Sequence, residues 1–268
     1  MKISISALSI AYGLTPEALR YYEEKGLLSP VRAASSGFRS FTLEDVHRLG
    51  IIKSMQRQGF SLEEVRHIMT GCTQDELIAL MDEKRAQMRE QIALSRAIYD
   101  RLSAATDLLR DARGQTMQPR LCSGGAAYLL GFDSASKMWE TVPKTPLLKA
   151  LLDALPLTSY STIAPLARLQ GQEAALRSGI CAPLEYLTAI RADFSQMAMS
   201  AGPRSVRVSF ELSPPHRSTA LPALAAAQSF MRERSLTPVS DGYTRQYAWF
   251  LGADGRKHQF EEWIIPVM

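Results

Sequence analysis

The sequence predicts a multidomain chain: a small helix-rich unit, one long helix, and an α+β domain built from two strand-helix-strand-strand halves. Three observations carry that expectation. Helix start and stop residues crowd positions 1 to 72, neither proline nor glycine interrupts positions 74 to 113, and strand-like and helical stretches alternate from 121 onward. The expected divisions are residues 1–72, a helix over 73–114, a linker at 115–120 and a domain over 121–268. With 268 residues and 46% hydrophobic side chains, the chain holds enough apolar material for more than one core.

Ser4 or Ser6 can cap a first short helix that Gly13 ends. Thr15 caps the second, with Pro16 at its first position and Gly26 just past its end. In "VRAASSGFRSF" β-prone ends flank a Ser-Ser-Gly turn, the pattern of a small hairpin. Thr42 then caps "LEDVHRLGIIKSMQRQG", and Ser61 with Glu64 forms a capping box for "LEEVRHIM". In the long helix, Leu77, Met81, Met88, Ile98, Leu102 and Leu109 recur near heptad spacing, interrupted by Lys84, Gln91 and Ser95. About 40 residues at 1.5 Å each make a rod of roughly 60 Å, which reads as a coiled-coil dimer arm, with an interdomain spacer as the alternative.

Beyond the break at "GQTMQP", "AAYLLGF" and "YSTIAPLARL" read as strands around a helical "TPLLKALLDAL". "CAPLEYLTAI" and "RSVRVSFEL" are strand-like, "ALPALAAAQSFMRER" is helical, and "YTRQYAWFLG" and "QFEEWIIPV" are strands again.

Charge and cysteine content narrow the function classes. A net charge of +4 is too diffuse to name a partner, so local clusters decide. No window nears the roughly 18 apolar residues of a membrane span and no leader pattern opens the chain, so it reads as cytoplasmic with no membrane partner. Cys72, Cys122 and Cys181 lie 50 and 59 residues apart, which fits neither a C-x-x-C metal pair nor a disulfide framework, so no metal ligands or cofactor are assigned. With no nucleophile-base pair or glycine-rich phosphate loop to place, the chain reads as a non-enzyme.

A helix that enters the major groove is short, offers its first turns to DNA and carries donors for phosphates and base edges. Residues 15 to 25 have those properties: Thr15 and the open amides after it suit a phosphate, Arg20 can fork onto phosphate or guanine, and Tyr21 and Tyr22 offer hydroxyls, one of the two rings being expected to pack. Arg32 and Arg39 bracket the hairpin turn, so a two-stranded wing brings both guanidinium groups toward the DNA backbone. This is a winged helix-turn-helix. The contacts assigned are Thr15, Arg20, Tyr22, Arg32 and Arg39, then Tyr21, Ser36 and Arg57.

"ALRYYEEKGLLSPVR", "GFRSF" and "LEDVHRLGIIKSMQRQGFSLEEV", followed by a long helix, resemble the MerR family of transcription regulators over about residues 3 to 110. Phe41 stands where that family usually has tyrosine, and the first helix lacks its common charges. The resemblance implies a homodimer joined by an antiparallel coiled coil, which reads a pseudo-palindromic promoter with an over-long spacer. It also implies distortion of that DNA toward a geometry RNA polymerase holoenzyme can use when an effector binds.

The remaining 150 or so residues are similar to the GyrI-like effector-binding domain of multidrug-sensing members, above all in the terminal "EEWIIPVM". That likeness implies a small hydrophobic or cationic ligand. Strand alternation sets Glu262 opposite in facing to Glu261 and Trp263, so one glutamate points inward; a buried unpaired carboxylate would favour a cation. Glu262 is the candidate carried over from the family, and Glu185 competes by the same alternation. Tyr186, Tyr247, Trp139, Trp249 and Trp263 are the candidate rings, with Tyr243, Tyr247 and Trp249 expected on one strand face. Two alternatives stay open: a metal- or redox-sensing regulator using Cys72 and Cys122, and a drug-binding or hydrolysing GyrI-like protein.

Overall fold

The computed structural model describes residues 3–32, 39–115, 117–141, 145–212, 220–253 and 255–268, with the backbone alone at 111–115 and 141. The chain divides into two units, Met1–Gln91 and Ile92–Met268.

The first unit runs β1 (Ile3–Ser4), α1 (Ile5–Tyr12), α2 (Pro16–Glu24), β2 (Val31–Arg32), β3 (Arg39–Phe41), α3 (Leu43–Arg57) and α4 (Leu62–Gly71), and α5 (Gln74–Gln115) starts within it. Its helices begin where short polar side chains can take an open amide. Ser4 accepts from the Ala7 amide and Thr15 from that of Ala18. Thr42 with Asp45, and Ser61 with Glu64, form reciprocal capping boxes. A further box at Thr73 and Glu76, absent from the sequence reading, opens α5. Gly26, at φ +72°, takes the left-handed backbone that ends α2, and the Leu27 amide then returns to the Tyr22 carbonyl.

β2 and β3 form the expected hairpin, Arg32 opposite Arg39, and β1 adds a third strand on β3. The hairpin tip, Ser36 included, lies outside the described residues. Leu8, Leu19, Leu27, Phe41, Leu49 and Ile52 fill the core beneath, each burial contributing roughly 1.5–3 kcal/mol before entropy is counted. Buried Asp45 ties the segment after α2 to α3 by also accepting from the Ser29 amide at 2.8 Å.

In the second unit the strands are β4 (Arg120–Ser123), β5 (Ala127–Phe132), β6 (Ser159–Ala164), β7 (Arg177–Pro183), β8 (Ala198–Ser200), β9 (Arg204–Leu212), β10 (Gly242–Leu251) and β11 (Lys257–Val267). They form one antiparallel sheet in the order β4-β9-β11-β10-β6-β7-β5-β8. Helices α6 (Ala135–Thr141) and α7 (Pro146–Asp153) join β5 to β6, α8 (Leu166–Leu169) follows β6, and α9 (Ala220–Glu233) joins β9 to β10. Strand-helix-strand-strand therefore occurs twice, as β5-β6-β7 and β9-β10-β11. In both halves the third strand lies between the other two, and the halves meet at β6 and β10. Gly179 permits the close β5–β7 pairing, because a Cβ there would stand 2.3 Å from the Leu130 carbonyl oxygen.

Two strand expectations are corrected. Pro165 ends β6, so "LARL" is helical. After Pro183, "LEYLTA" is a 3-10 helix, which removes the alternation that paired Glu185 with Glu262. One side of the sheet packs α9 against Val206, Val208, Phe210, Trp263 and Ile265. Among the described residues no helix is long and apolar enough to cross a membrane.

Candidate nucleic-acid interface and aromatic cleft

On the first unit, Thr15, Arg20 and Tyr21 are exposed along α2. Among the described residues Arg20 pairs with Glu17 alone, at 3.5 Å, a surface pair of little energetic weight. Tyr22 is 6% exposed, its ring in the core and its hydroxyl donating to Gln56 Oε1 at 3.2 Å. The ranking of Tyr22 above Tyr21 as a contact is therefore corrected: the core takes the Tyr22 ring, and Tyr21 stays exposed with Lys25 over its ring. Arg57 is exposed at the end of α3.

Glu23 organises the wing. Its two carboxylate oxygens meet Arg32 Nη2 at 2.8 Å and Arg39 Nε at 2.5 Å. Burial opposes ionisation, yet the hydrogen bonds and charges of these arginines hold the Glu23 carboxyl below its ordinary value. One acid on α2 thus fixes both wing cations before DNA arrives, while Arg32 keeps 60% of its side-chain exposure.

Along α5 the exposed large apolar residues are, besides Leu94, which falls outside the series the others form, Ile78, Met81 and Met88 in the first unit and Ile92, Tyr99 and Leu102 in the second. Their steps of three, seven, four, seven and three residues keep one heptad register. Of the expected seam, Met81, Met88 and Leu102 are exposed, whereas Leu77 and Ile98 are half-buried, Ile98 against the core of the second unit, so the exposed register starts at Ile78.

In the second unit, β6 and β10 pair only at Ala164–Gly242 and Ile163–Tyr243 and then diverge. A cleft of about 270 Å³ opens where they part, with Tyr160, Tyr247, Trp249, Pro156 and Arg101 in its walls. Trp139, half-exposed on α6, approaches Tyr160 with ring centroids 6.4 Å apart. A bulge between Gln246 and Ala248 breaks the alternation, so Tyr243 is buried while Trp249 is exposed, against the single face expected for Tyr243, Tyr247 and Trp249. Trp263 is a further correction. It faces α9, fully buried, with its indole N–H donating to the Ala220 carbonyl at 2.9 Å.

Glu262 is inward and 1% exposed, but it is not unpaired. Arg120 lies at 2.8 Å, Arg207 at 3.8 Å, and the Tyr247 hydroxyl donates to it at 3.2 Å. Burial, and then the Glu262 charge, push the Tyr247 phenol up to about 12, keeping it a neutral donor. Glu185 is exposed and pairs at 2.8 Å with Arg245, whose guanidinium also lies over the Tyr186 ring.

Cys72 has His67 and Glu76 beside it, their ligand atoms all within 4.8 Å of one another. Glu76 is already engaged in capping α5, and desolvation followed by the Glu76 charge raises the Cys72 thiol, away from the thiolate that metals take. Cys122 is half-buried on β4, and Cys181 is buried against Ser159.

Residues 3–72 match the model of the MerR HTH family regulatory protein, and 46–105 that of the MerR DNA-binding region. An uncharacterised HTH-type transcriptional regulator of Pseudomonas aeruginosa is 38% identical over 99 residues, 37% of this chain and 74% of that protein. The chain belongs to the MerR family of DNA-binding transcriptional regulators.

Nodulation protein NolA of Bradyrhizobium elkanii is 34% identical over 102 residues, covering 38% of this chain and 46% of NolA. Of solved structures, the EcmrR–DNA complex in EcmrR-RPo aligns over 100% of this chain and 99% of that one, at 15% identity and a TM-score of 0.36. Sequence reasoning for this MerR-family chain missed Glu23, Arg101, Tyr160 and Arg245. Each is an ordinary polar residue until folding brings its partners to it, as it brings Arg39 to Glu23 from 16 positions away.

Proposed function

We propose that the protein is a ligand-responsive transcriptional activator. A homodimer formed along the free heptad register of α5 reads a pseudo-palindromic promoter with an over-long spacer. The second unit acts as a GyrI-like effector domain whose occupancy favours distorted DNA that RNA polymerase can use. Bending a site by 40 to 90° costs on the order of 1–6 kcal/mol, within reach of the phosphate contacts that Arg20, Arg32 and Arg39 offer from each subunit.

The observation that carries this reading is the presence on one chain of a wing pre-set by Glu23 and a duplicated strand-helix-strand-strand sheet with an aromatic cleft at its join. Selection of bound duplexes from a random pool, combined with sedimentation of the free and bound protein, tests it. An inverted repeat bound by a dimer is expected. Enrichment of a single asymmetric half-site by a monomer would refute it.

A further inference from the structure

The cleft has a charge preference, and it is the reverse of the one expected from its glutamate. Resting on the reading of the second unit as an effector domain, we propose that the effector is an organic anion: a small aromatic molecule with a carboxylate or similar acidic group, anchored by Arg101 and Arg245.

Arg101 projects from α5 into the cleft wall and is 5% exposed. Its Nε donates to the Pro156 carbonyl at 3.3 Å and its Nη2 to the Gln246 carbonyl, and its guanidinium lies 4.4 Å from the Tyr247 ring centroid. No carboxylate among the described residues pairs with it, and its Nη1 is buried without a hydrogen-bond partner. A buried cation held only by carbonyls and a ring is costly, and an anion removes that cost. Arg245, also 5% exposed, lies 5.3 Å from the same Tyr247 ring and gives Nη1 to Glu185, while its Nη2 is likewise buried and unpartnered. Burial, and next the like charge of Arg245, lower Arg101 from its ordinary value, whereas Arg245, against its own burial, is raised by Tyr247 and Glu185, so the uncompensated cation of the pair is Arg101.

The acids near the cleft are already committed. Glu262 serves Arg120 and Arg207, and Glu185 serves Arg245 from an exposed position. A lipophilic cation would meet carboxylates already paired with arginines, the Arg101 guanidinium without a carboxylate in the cleft wall, and behind Tyr247 a second guanidinium, Arg245, with one buried nitrogen unpartnered. An acid group meets fork-shaped donors suited to carboxylate oxygens, with Tyr160 and Trp249 available to its ring. At about 270 Å³ the cleft sits near the small end of ligand pockets, which favours a compact aromatic acid.

Calorimetric titration of the full chain with naphthoate, naphthamide and naphthylmethylammonium compares charge on one skeleton. Naphthoate is expected to bind roughly tenfold or more tightly than the amide, with the ammonium weakest. Arg101→Gln retains a donor for the two carbonyls, so the fold survives; it and Arg245→Met should each lower naphthoate affinity about tenfold and leave naphthamide within about twofold. An unchanged urea transition followed by tryptophan fluorescence confirms that the second unit of each variant is folded. Preference for the ammonium, or naphthoate binding indifferent to both substitutions, overturns the anion assignment while leaving the effector-domain reading intact. Absence of binding by all three probes overturns the cleft as an effector site.

Discussion

Glu262→Gln isolates the energetic weight of the polar network behind the cleft. The carboxylate is 1% exposed and holds Arg120 at 2.8 Å and Arg207 at 3.8 Å. Removing one member of a buried pair costs about 3–5 kcal/mol. Arg120 keeps 44% and Arg207 25% of its side-chain exposure, so both guanidinium groups reach water and the expected loss is about 1–3 kcal/mol. Its neighbour Glu261 supplies the control. That group faces the other side of the sheet, and burial raises its carboxyl against weaker lowering by hydrogen bonds from Thr244 and Gln259. A carboxyl raised on folding stabilises most below its unfolded value near 4.5 and loses that contribution as pH rises toward the folded value. Glu261→Gln should therefore equal or exceed the parent in stability at pH 7, with the advantage vanishing near pH 4. Urea unfolding followed by tryptophan fluorescence reads the second unit alone, because Trp139, Trp249 and Trp263 all lie there. A loss below about 0.5 kcal/mol for Glu262→Gln, or one no larger than that of Glu261→Gln, refutes the reasoning.

The first unit yields three further expectations. Arg20→Ala should weaken promoter binding and reduce the slope of log affinity against log salt by about one per subunit contact, read by anisotropy across a salt series; an unchanged slope would remove Arg20 from the phosphate contacts. Leu49→Ala, at a fully buried site, should cost about 2–5 kcal/mol in the thermal transition of this unit followed by circular dichroism. Because Glu23 is held below its ordinary value, its contribution is present at neutral pH and lost as pH falls through the folded value; Glu23→Gln should flatten the acid limb of the stability curve below about pH 4.5. On α5, Ile92→Glu should shift the molecule toward monomer in sedimentation, since that side chain is exposed in the heptad register.

Much of the first unit was legible because its signals are local. Ser4, Thr15, Thr42 and Ser61 act on amides three residues away, and Gly26 ends a helix by its own backbone freedom. The choice between Tyr21 and Tyr22 was not legible, since it depends on how α2 is rotated over its core. In the second unit, hydrophobic alternation located β5, β9, β10 and β11, but the bulge in β10 and the turn after Pro183 changed which side chains share a face. Glu262 was correctly read as inward. Its arginine partners come from β4 and β9, and Arg120 is 142 positions away, so only the sheet order reveals that the charge is already answered.

A sheet whose strands read in the same order from either side of one join has the form of a dimer made continuous. Two identical copies meeting there would have to present matching walls to whatever lodged between them. Once a single chain supplies both walls, each can drift independently: β10 carries Arg245 while β6, "SYSTIA", carries no charge at all. Changes on one rim can then accumulate with the aromatic lining of the other kept as it is.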